Sequence, residues 1–213
     1  MSAHPLLAAL RSARIVPVVR THDAALAETA VAWLKGAGFR CFEITMTVPG
    51  APALLAKLAA DKELLLGAGT VTTRADADAV LAAGARFVVA PYVAPDIVAP
   101  CKVAGAAVML GAMTPTEIAA ARAAGADVVK IFPARQAGGP AFLKAVGVLF
   151  PGVALMPTGG VDADEVDAYL GAGALCCGVG GKLVDEAALR AGDRARVEDA
   201  ARRVLGGAVQ RIA

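Results

Sequence analysis

Hydrophobic and polar positions along this chain alternate in blocks rather than residue by residue. Short runs that are apolar on both faces follow stretches whose apolar residues recur at helical spacing. One phrase occurs five times: a helical pattern ends in glycine and a β-rich run starts almost at once. Gly38 precedes Cys41-Phe42-Glu43-Ile44, Gly84 precedes Phe87-Val88-Val89 and Gly105 precedes Ala107-Val108-Met109. Gly125 precedes Val128-Val129-Lys130, and Gly173 precedes Leu175-Cys176-Cys177. Glycine adopts the left-handed conformation at little cost, so it ends each helix and turns the chain into the next strand. Runs at Ile15–Arg20, Leu64–Val71 and Ala154–Gly160 bring the expected strands to eight, separated by helical stretches of about 10 to 15 residues.

Strands that are apolar on both faces belong in a parallel sheet covered by helices, and eight βα units are the number that closes a barrel. The pattern therefore predicts a single-domain (β/α)8 TIM barrel over residues 1–213. An open doubly wound sheet is the alternative if the strand count is off by one. No Gly/Ser-rich linker or charge block marks a second domain, and the charged stretch Asp193–Arg203 reads as a surface helix closing the barrel.

Composition narrows the class. Aromatic residues are only 4% of the chain, so the core must be built from small aliphatic side chains at close spacing. With 21 lysines and arginines against 19 acids, the formal charge of +2 is too balanced for a surface that neutralises many phosphates, and nucleic acid is not expected as a partner. The four cysteines, Cys41, Cys101, Cys176 and Cys177, form no CxxC pair and read as reduced structural thiols, with a metal cluster as the alternative. Met1–Leu10 lacks a basic region followed by a sustained apolar stretch, and polar or breaker residues interrupt every later apolar run before ~18 residues. A cytoplasmic protein without membrane contact is expected.

In a parallel barrel, reactive groups collect at the carboxyl ends of the strands. The polar residues there are Arg20, Glu43, Thr45, Thr47, Thr70, Lys130 and Thr158-Gly159-Gly160, with Gly178–Gly181 after the eighth strand. Lys130 lies between Val128-Val129 and Ile131-Phe132-Pro133, a segment with no other reason to carry a charge. Burying an ammonium is costly, which favours the neutral amine that can attack a carbonyl carbon. A lysine snorkelling to the barrel rim, or paired with an acid, is the other reading. Glu43, between Phe42 and Ile44, is placed to shuttle protons beside such a lysine or to form a structural ion pair with it, and one residue can do both. The glycine turns after the seventh and eighth strands offer exposed amides for an anion, although tight turns with no ligand would use the same residues.

Six ordered phrases then carry a resemblance: Ile15-Val16-Pro17-Val18-Val19-Arg20, Glu43-Ile44-Thr45-Met46-Thr47-Val48-Pro49-Gly50, Gly67-Ala68-Gly69-Thr70-Val71, Met113-Thr114-Pro115-Thr116-Glu117, Lys130-Ile131-Phe132-Pro133 and Pro157-Thr158-Gly159-Gly160. From about Ile15 to Val184 the chain resembles the 2-keto-3-deoxy-6-phosphogluconate (KDPG) and 4-hydroxy-2-oxoglutarate (KHG) aldolases. The resemblance implies a class I aldolase, a carbon–carbon lyase, with Lys130 as the Schiff-base lysine and Glu43 as general acid/base acting through a water. It further implies that Arg20 and Thr70 hold the pyruvyl carboxylate, that Phe132 lines the pocket, that Thr158 bears on stereoselectivity at C4, and that Thr45, Thr47 and Pro91 contact substrate. The amides of Gly159, Gly160, Gly180 and Gly181 would receive a substrate phosphate. Keto-acid and aldehyde substrates, a homotrimer, and no metal or cofactor are implied with them. The substrate would be KDPG, KHG or the phosphogalactonate epimer of KDPG.

Three departures bear on the expectations. Thr47 stands where some members carry arginine, which shifts carboxylate binding onto Arg20 and Thr70. Gly181 stands where a serine commonly ends the strand 8 turn, which removes a hydroxyl contact to phosphate. Leu110 and Ala90 replace a proline and a serine and are expected to reshape the pocket wall. Two rivals stay open. A metal-dependent aldolase or epimerase would need converging ligands, yet only His4 and His22 exist, His4 read as terminal and solvated and His22 as helping to begin the first barrel helix. A catalytically silent barrel that binds a phosphorylated metabolite, or serves as a scaffold, is the other.

Overall fold

The structure, a computed structural model, describes residues 4–206 and residue 210. The expectation for residues 1–213 thus extends, at 1–3, 207–209 and 211–213, outside the described residues. Eight parallel strands form one sheet: β1 Ile15–Val19, β2 Cys41–Thr45, β3 Leu65–Gly69, β4 Phe87–Val89, β5 Ala107–Ala112, β6 Val128–Ile131, β7 Leu155–Pro157 and β8 Cys177–Val179. From β1 to β7 each strand pairs with its sequence neighbours, and β8 pairs with β1 at Ile15↔Cys177. A single bridge, Thr158↔Gly178, joins the β7 and β8 ends and completes the (β/α)8 barrel. An open doubly wound sheet is thereby excluded, because its first and last strands would not pair.

Helices Ala24–Gly36, Ala51–Leu58, Arg74–Ala82, Val98–Ala104, Pro115–Ala123, Gly139–Leu149 and Val166–Gly171 return the chain between strands. Their starts are written locally. Asp23 accepts from the amides of Ala25 and Leu26 at 2.6 and 3.3 Å, and Thr114 with Glu117 forms a reciprocal capping box. Helix Arg194–Leu205, capped by Asp193, packs with helix Glu186–Arg190 on helix Ala24–Gly36, the surface helix expected of that charged stretch.

Alternation along each strand divides the apolar residues into two cores. Ile15, Val19, Phe42, Ile44, Leu66, Ala68, Val88, Val108, Val129 and Ile131 face the helices. Val16, Cys41, Leu65, Phe87, Val89, Ala107, Met109, Val128, Met156 and Cys176 fill the barrel interior. Helix Leu6–Ala13, which the strand pattern does not reveal, presents Leu6, Ala9, Leu10 and Ala13 to that interior core and stoppers the amino-terminal mouth.

Three expectations are corrected. The last strand is not Leu175–Cys177 but Cys177–Val179, two residues later. Ala90 and Leu110 point into the helix-facing core and are fully buried there, so they do not form a pocket wall. Neither histidine behaves as read: His4 is half-buried and its Nδ1 accepts from the Leu6 amide at 3.2 Å, while His22 sits 3.0 Å from Glu186 Oε2 and leaves helix initiation to Asp23. The cysteines are free and buried, and burial pushes the thiols of Cys101 and Cys177 up to about 12.

Candidate active site

The interior column that is apolar near the amino-terminal mouth turns polar toward the carboxyl ends. Glu43 follows Cys41 by two residues, Lys130 follows Val128 by two and Thr158 follows Met156 by two, so each inherits the inward direction of its neighbour. Lys130 Nζ stands 3.7 Å from Glu43 Oε1, with the side chains 4% and 0% exposed. That separation is too long for a good hydrogen bond. Both Glu43 carboxylate oxygens and Thr158 Oγ1 make no hydrogen bond among the described residues. Leaving buried polar atoms unsatisfied costs free energy, on the order of 1–3 kcal/mol each and more for charged groups, and marks a place where substrate or water completes the set.

The backbone around this pair is shaped to admit it. A Cβ on Gly69 would overlap Glu43 Oε1, so the β3 glycine is the floor on which the carboxylate lies. Gly178 plays the same part for Thr158, whose Oγ1 occupies the space a β8 side chain would take. Above the amine, the Phe132 ring centroid lies 5.1 Å from Lys130 Nζ, so the ring face covers the nitrogen from that side.

The other candidates divide between two sectors of the rim. Arg20, Phe132, Thr158, Gly159, Gly160, Gly180 and Gly181 line one cavity of about 510 Å³. Gly159 and Gly160 both have positive φ, 87° and 75°, in the tight turn after β7. Thr45, Thr47, Thr70 and Pro91 do not line that cavity. Thr45, fully buried, donates toward Val19 O at 3.3 Å and shares a 2.7 Å hydrogen bond with exposed Thr47. Thr70 bridges the sectors, since Arg20 Nη2 donates to its Oγ1 at 3.4 Å. It does so with φ 57°, a conformation costly for a β-branched residue, roughly 1–3 kcal/mol. Pro91, half-buried, continues the inward column of β4.

The cavity also contains charges that the strand-end reading passed over. Arg135 and Lys182 line it together with Asp162. Lys182 directly follows Gly181, and Arg135 lies two residues after Pro133, so both cations stand close to phrases that are conspicuous in the sequence. Among the described residues no group of three His, Cys, Asp or Glu side chains converges so as to hold a metal ion, and no helix is long and apolar enough to cross a membrane. The arrangement can present one amine to a carbonyl carbon, move protons through one carboxylate, and receive an anion where the two glycine turns meet.

Comparison with known proteins agrees with this geometry. The family model described as KDPG and KHG aldolase matches residues 6–200. The chain is 38% identical over 194 residues to the 2-dehydro-3-deoxy-phosphogluconate aldolase of Treponema pallidum (strain Nichols), covering 89% of this chain and 90% of the relative. It is 33% identical over 184 residues to the 2-dehydro-3-deoxy-6-phosphogalactonate aldolase of Escherichia coli (strain K12), covering 84% of each. Among solved structures, KDPG aldolase from Legionella pneumophila, with pyruvate captured at low pH as a covalent carbinolamine intermediate, superposes with a TM-score of 0.84 at 28% identity, covering 93% of this chain and 97% of that one.

Proposed function

Because the chain belongs to the KDPG and KHG aldolase family and is a carbon–carbon lyase, we propose that it cleaves 2-keto-3-deoxy-6-phosphogluconate to pyruvate and glyceraldehyde 3-phosphate through a Schiff base on Lys130. KHG, which gives pyruvate and glyoxylate, is the second substrate. The observation that carries this reading is the buried Lys130–Glu43 pair, an amine and a carboxylate 3.7 Å apart with the carboxylate otherwise unpartnered.

The neutral amine of Lys130 attacks C2 of the keto acid, and the carbinolamine loses water to give an iminium. Glu43, directly or through a water, takes the C4 hydroxyl proton. The C4–O electrons form the aldehyde carbonyl, the C3–C4 bond breaks, and its electrons neutralise the iminium as an enamine. Protonation at C3 and hydrolysis then release pyruvate and restore the lysine. Arg20 and Thr70 hold the pyruvyl carboxylate, while Thr45, Thr47, Pro91 and Phe132 shape the pyruvyl end. Thr158 faces the C4 hydroxyl. The turns Gly159-Gly160 and Gly180-Gly181 present amides to the phosphate.

Borohydride reduction in the presence of pyruvate tests the assignment. Wild-type protein should gain a stable pyruvyl adduct on Lys130, and Lys130→Ala should lose both adduct and turnover while keeping its circular dichroism. An adduct elsewhere, or turnover retained by the variant, refutes it. The 33% identity to a phosphogalactonate aldolase favours a second reading, in which the C4 epimer is the better substrate. Side-by-side kinetics on both epimers and KHG decide between them. Buried free thiols support a cytoplasmic setting. The resemblance supports a homotrimer, which sedimentation equilibrium checks.

A further inference from the structure

The anion end of the cavity contains more than backbone amides. Arg135 Nη2 donates to Asp162 Oδ2 at 2.7 Å and to Glu165 Oε2 at 2.8 Å, and Lys182 Nζ reaches the same Asp162 oxygen at 2.7 Å. The two cations come from different segments, Arg135 from the one-turn helix Ala134–Ala137 after β6 and Lys182 from the turn after β8, and the carboxylate that gathers them comes from the loop after β7, the loop that also supplies Gly159 and Gly160. Asp162 is mostly buried, 18% exposed, whereas the side chains of Arg135 and Lys182 are 50% and 69% exposed. The acid is thus the fixed element and the cations the accessible ones. Arg20 is the third cation of the lining, and with Asp162 in the lining and Glu165 on Arg135 the local balance is three cations to two carboxylates, a net positive excess. Gly160 also packs close to Arg135, where an added Cβ would lie 2.6 Å from Arg135 Cβ, so the turn and the guanidinium stem are one packed unit.

We propose that Arg135 and Lys182, gathered by Asp162, form a cationic clamp for a dianionic phosphomonoester on the aldehyde half of the substrate, and that this clamp sets the preference for phosphorylated over unphosphorylated substrates. The proposal rests on the aldolase reading for its link to substrate, although the binding of an anion does not depend on Lys130. The clamp makes good the hydroxyl contact that Gly181 does not supply. Arg135 contributes a planar pair of donors and Lys182 a mobile point charge, a combination suited to a tetrahedral dianion. Asp162 acts as a positioning residue. It holds both heads at the cavity wall and shares them with the incoming phosphate, and its own carboxyl is held below the usual carboxylate range by Lys182 and Arg135.

Calorimetric titration with inorganic phosphate reads the clamp without any chemistry. Wild-type and Lys130→Ala protein should bind phosphate alike, and affinity should fall with added sodium chloride. Lys182→Met and Arg135→Met should each weaken phosphate by roughly 10-fold or more, as expected for losing a charge-assisted contact. The same variants should narrow, by a similar factor, the kcat/KM ratio for KDPG over 2-keto-3-deoxygluconate, chiefly through the KM for KDPG. Lys182→Met replaces a mostly exposed side chain, so folding is not at stake. Wild-type protein that binds no phosphate, variants with unchanged affinity, or equal losses on both substrates would overturn the clamp. Failure of the pyruvate adduct on Lys130 would instead overturn the aldolase reading and leave phosphate binding as measured.

Discussion

The two ends of the barrel interior are built on the same strands yet obey opposite rules. Toward the amino-terminal mouth, Cys41, Leu65, Phe87, Val128 and Cys176 interlock beneath helix Leu6–Ala13, a core whose ionisable groups, among the described residues, are thiols raised by burial. Two residues further along the same strands, Glu43 and Lys130 occupy comparably buried positions, and both carboxylate oxygens of Glu43 lack a hydrogen-bond partner among the described residues. Close packing with well-filled rotamers stabilises the first region. Desolvated charges and orphaned acceptors destabilise the second, and it holds its shape because the first holds the strands. Removing a side chain should therefore cost chemistry at one end and stability at the other.

The sharpest break in that comparison is Glu43→Gln. It keeps volume and burial but removes the proton-accepting form, so kcat should fall by about 10²- to 10⁴-fold, the usual worth of a general acid/base. Beside a neutral Lys130 amine the amide replaces a buried carboxylate whose oxygens have no hydrogen-bond partner among the described residues, so thermal stability should hold or rise. Stopped-flow turnover and thermal melting check both halves, and a large fall in melting temperature without loss of kcat would mean that Glu43 serves only as a structural partner.

The converse belongs to the stoppered end. Leu10 is fully buried in the interior core, and Leu10→Ala should cost roughly 2–5 kcal/mol. For a chain of this size each kcal/mol lowers the melting temperature by about 2–4 °C. At 25 °C its kcat and KM should match wild type. A variant with intact stability but altered KM would show that the stopper communicates with the rim.

What was legible in the sequence follows the same division. Period and glycine punctuation fixed the number and order of strands, because an eight-fold βα alternation admits few other closures. The ends of the strands were less legible. β8 lies two residues beyond the expected run, since Leu175, Cys176 and Cys177 are all apolar and nothing in a strand buried on both faces tells inside from outside. Ala90 and Leu110 are expected at the pocket wall from the resemblance alone, and strand parity, fixed by inward-facing Val89 and Met109 beside them, turns both into the helix-facing core. Lys130 and Glu43 stood out because a charge in an apolar run is conspicuous. Arg135 and Lys182 did not, because cations in helical or turn segments look like solvated surface until Asp162 gathers them. Helix Leu6–Ala13 lies in the stretch weighed only for targeting signals, and its role depends on contacts with strands that come later.

The finest distinction lies at Thr70, where the two regimes meet in one residue. Its left-handed backbone, φ 57°, is a local cost, and its hydroxyl accepts from Arg20, a contact proposed to orient the pyruvyl carboxylate. Thr70→Ala deletes the hydroxyl and keeps the unfavourable backbone, whereas Thr70→Gly deletes the hydroxyl and removes the Cβ that makes it unfavourable. The left-handed conformation costs a residue with a Cβ about 1–2 kcal/mol relative to glycine, partly offset by the greater freedom of glycine in the unfolded chain, about 0.5–1 kcal/mol. Thr70→Gly should therefore be the more stable variant by up to about 1.5 kcal/mol, while both raise the KM for pyruvate-derived substrates by the same several-fold factor, read by denaturant unfolding and steady-state kinetics. Equal stability of the two variants would mean that the surrounding barrel relaxes the turn. Unequal KM values would mean that the backbone at residue 70, rather than the hydroxyl, positions Arg20.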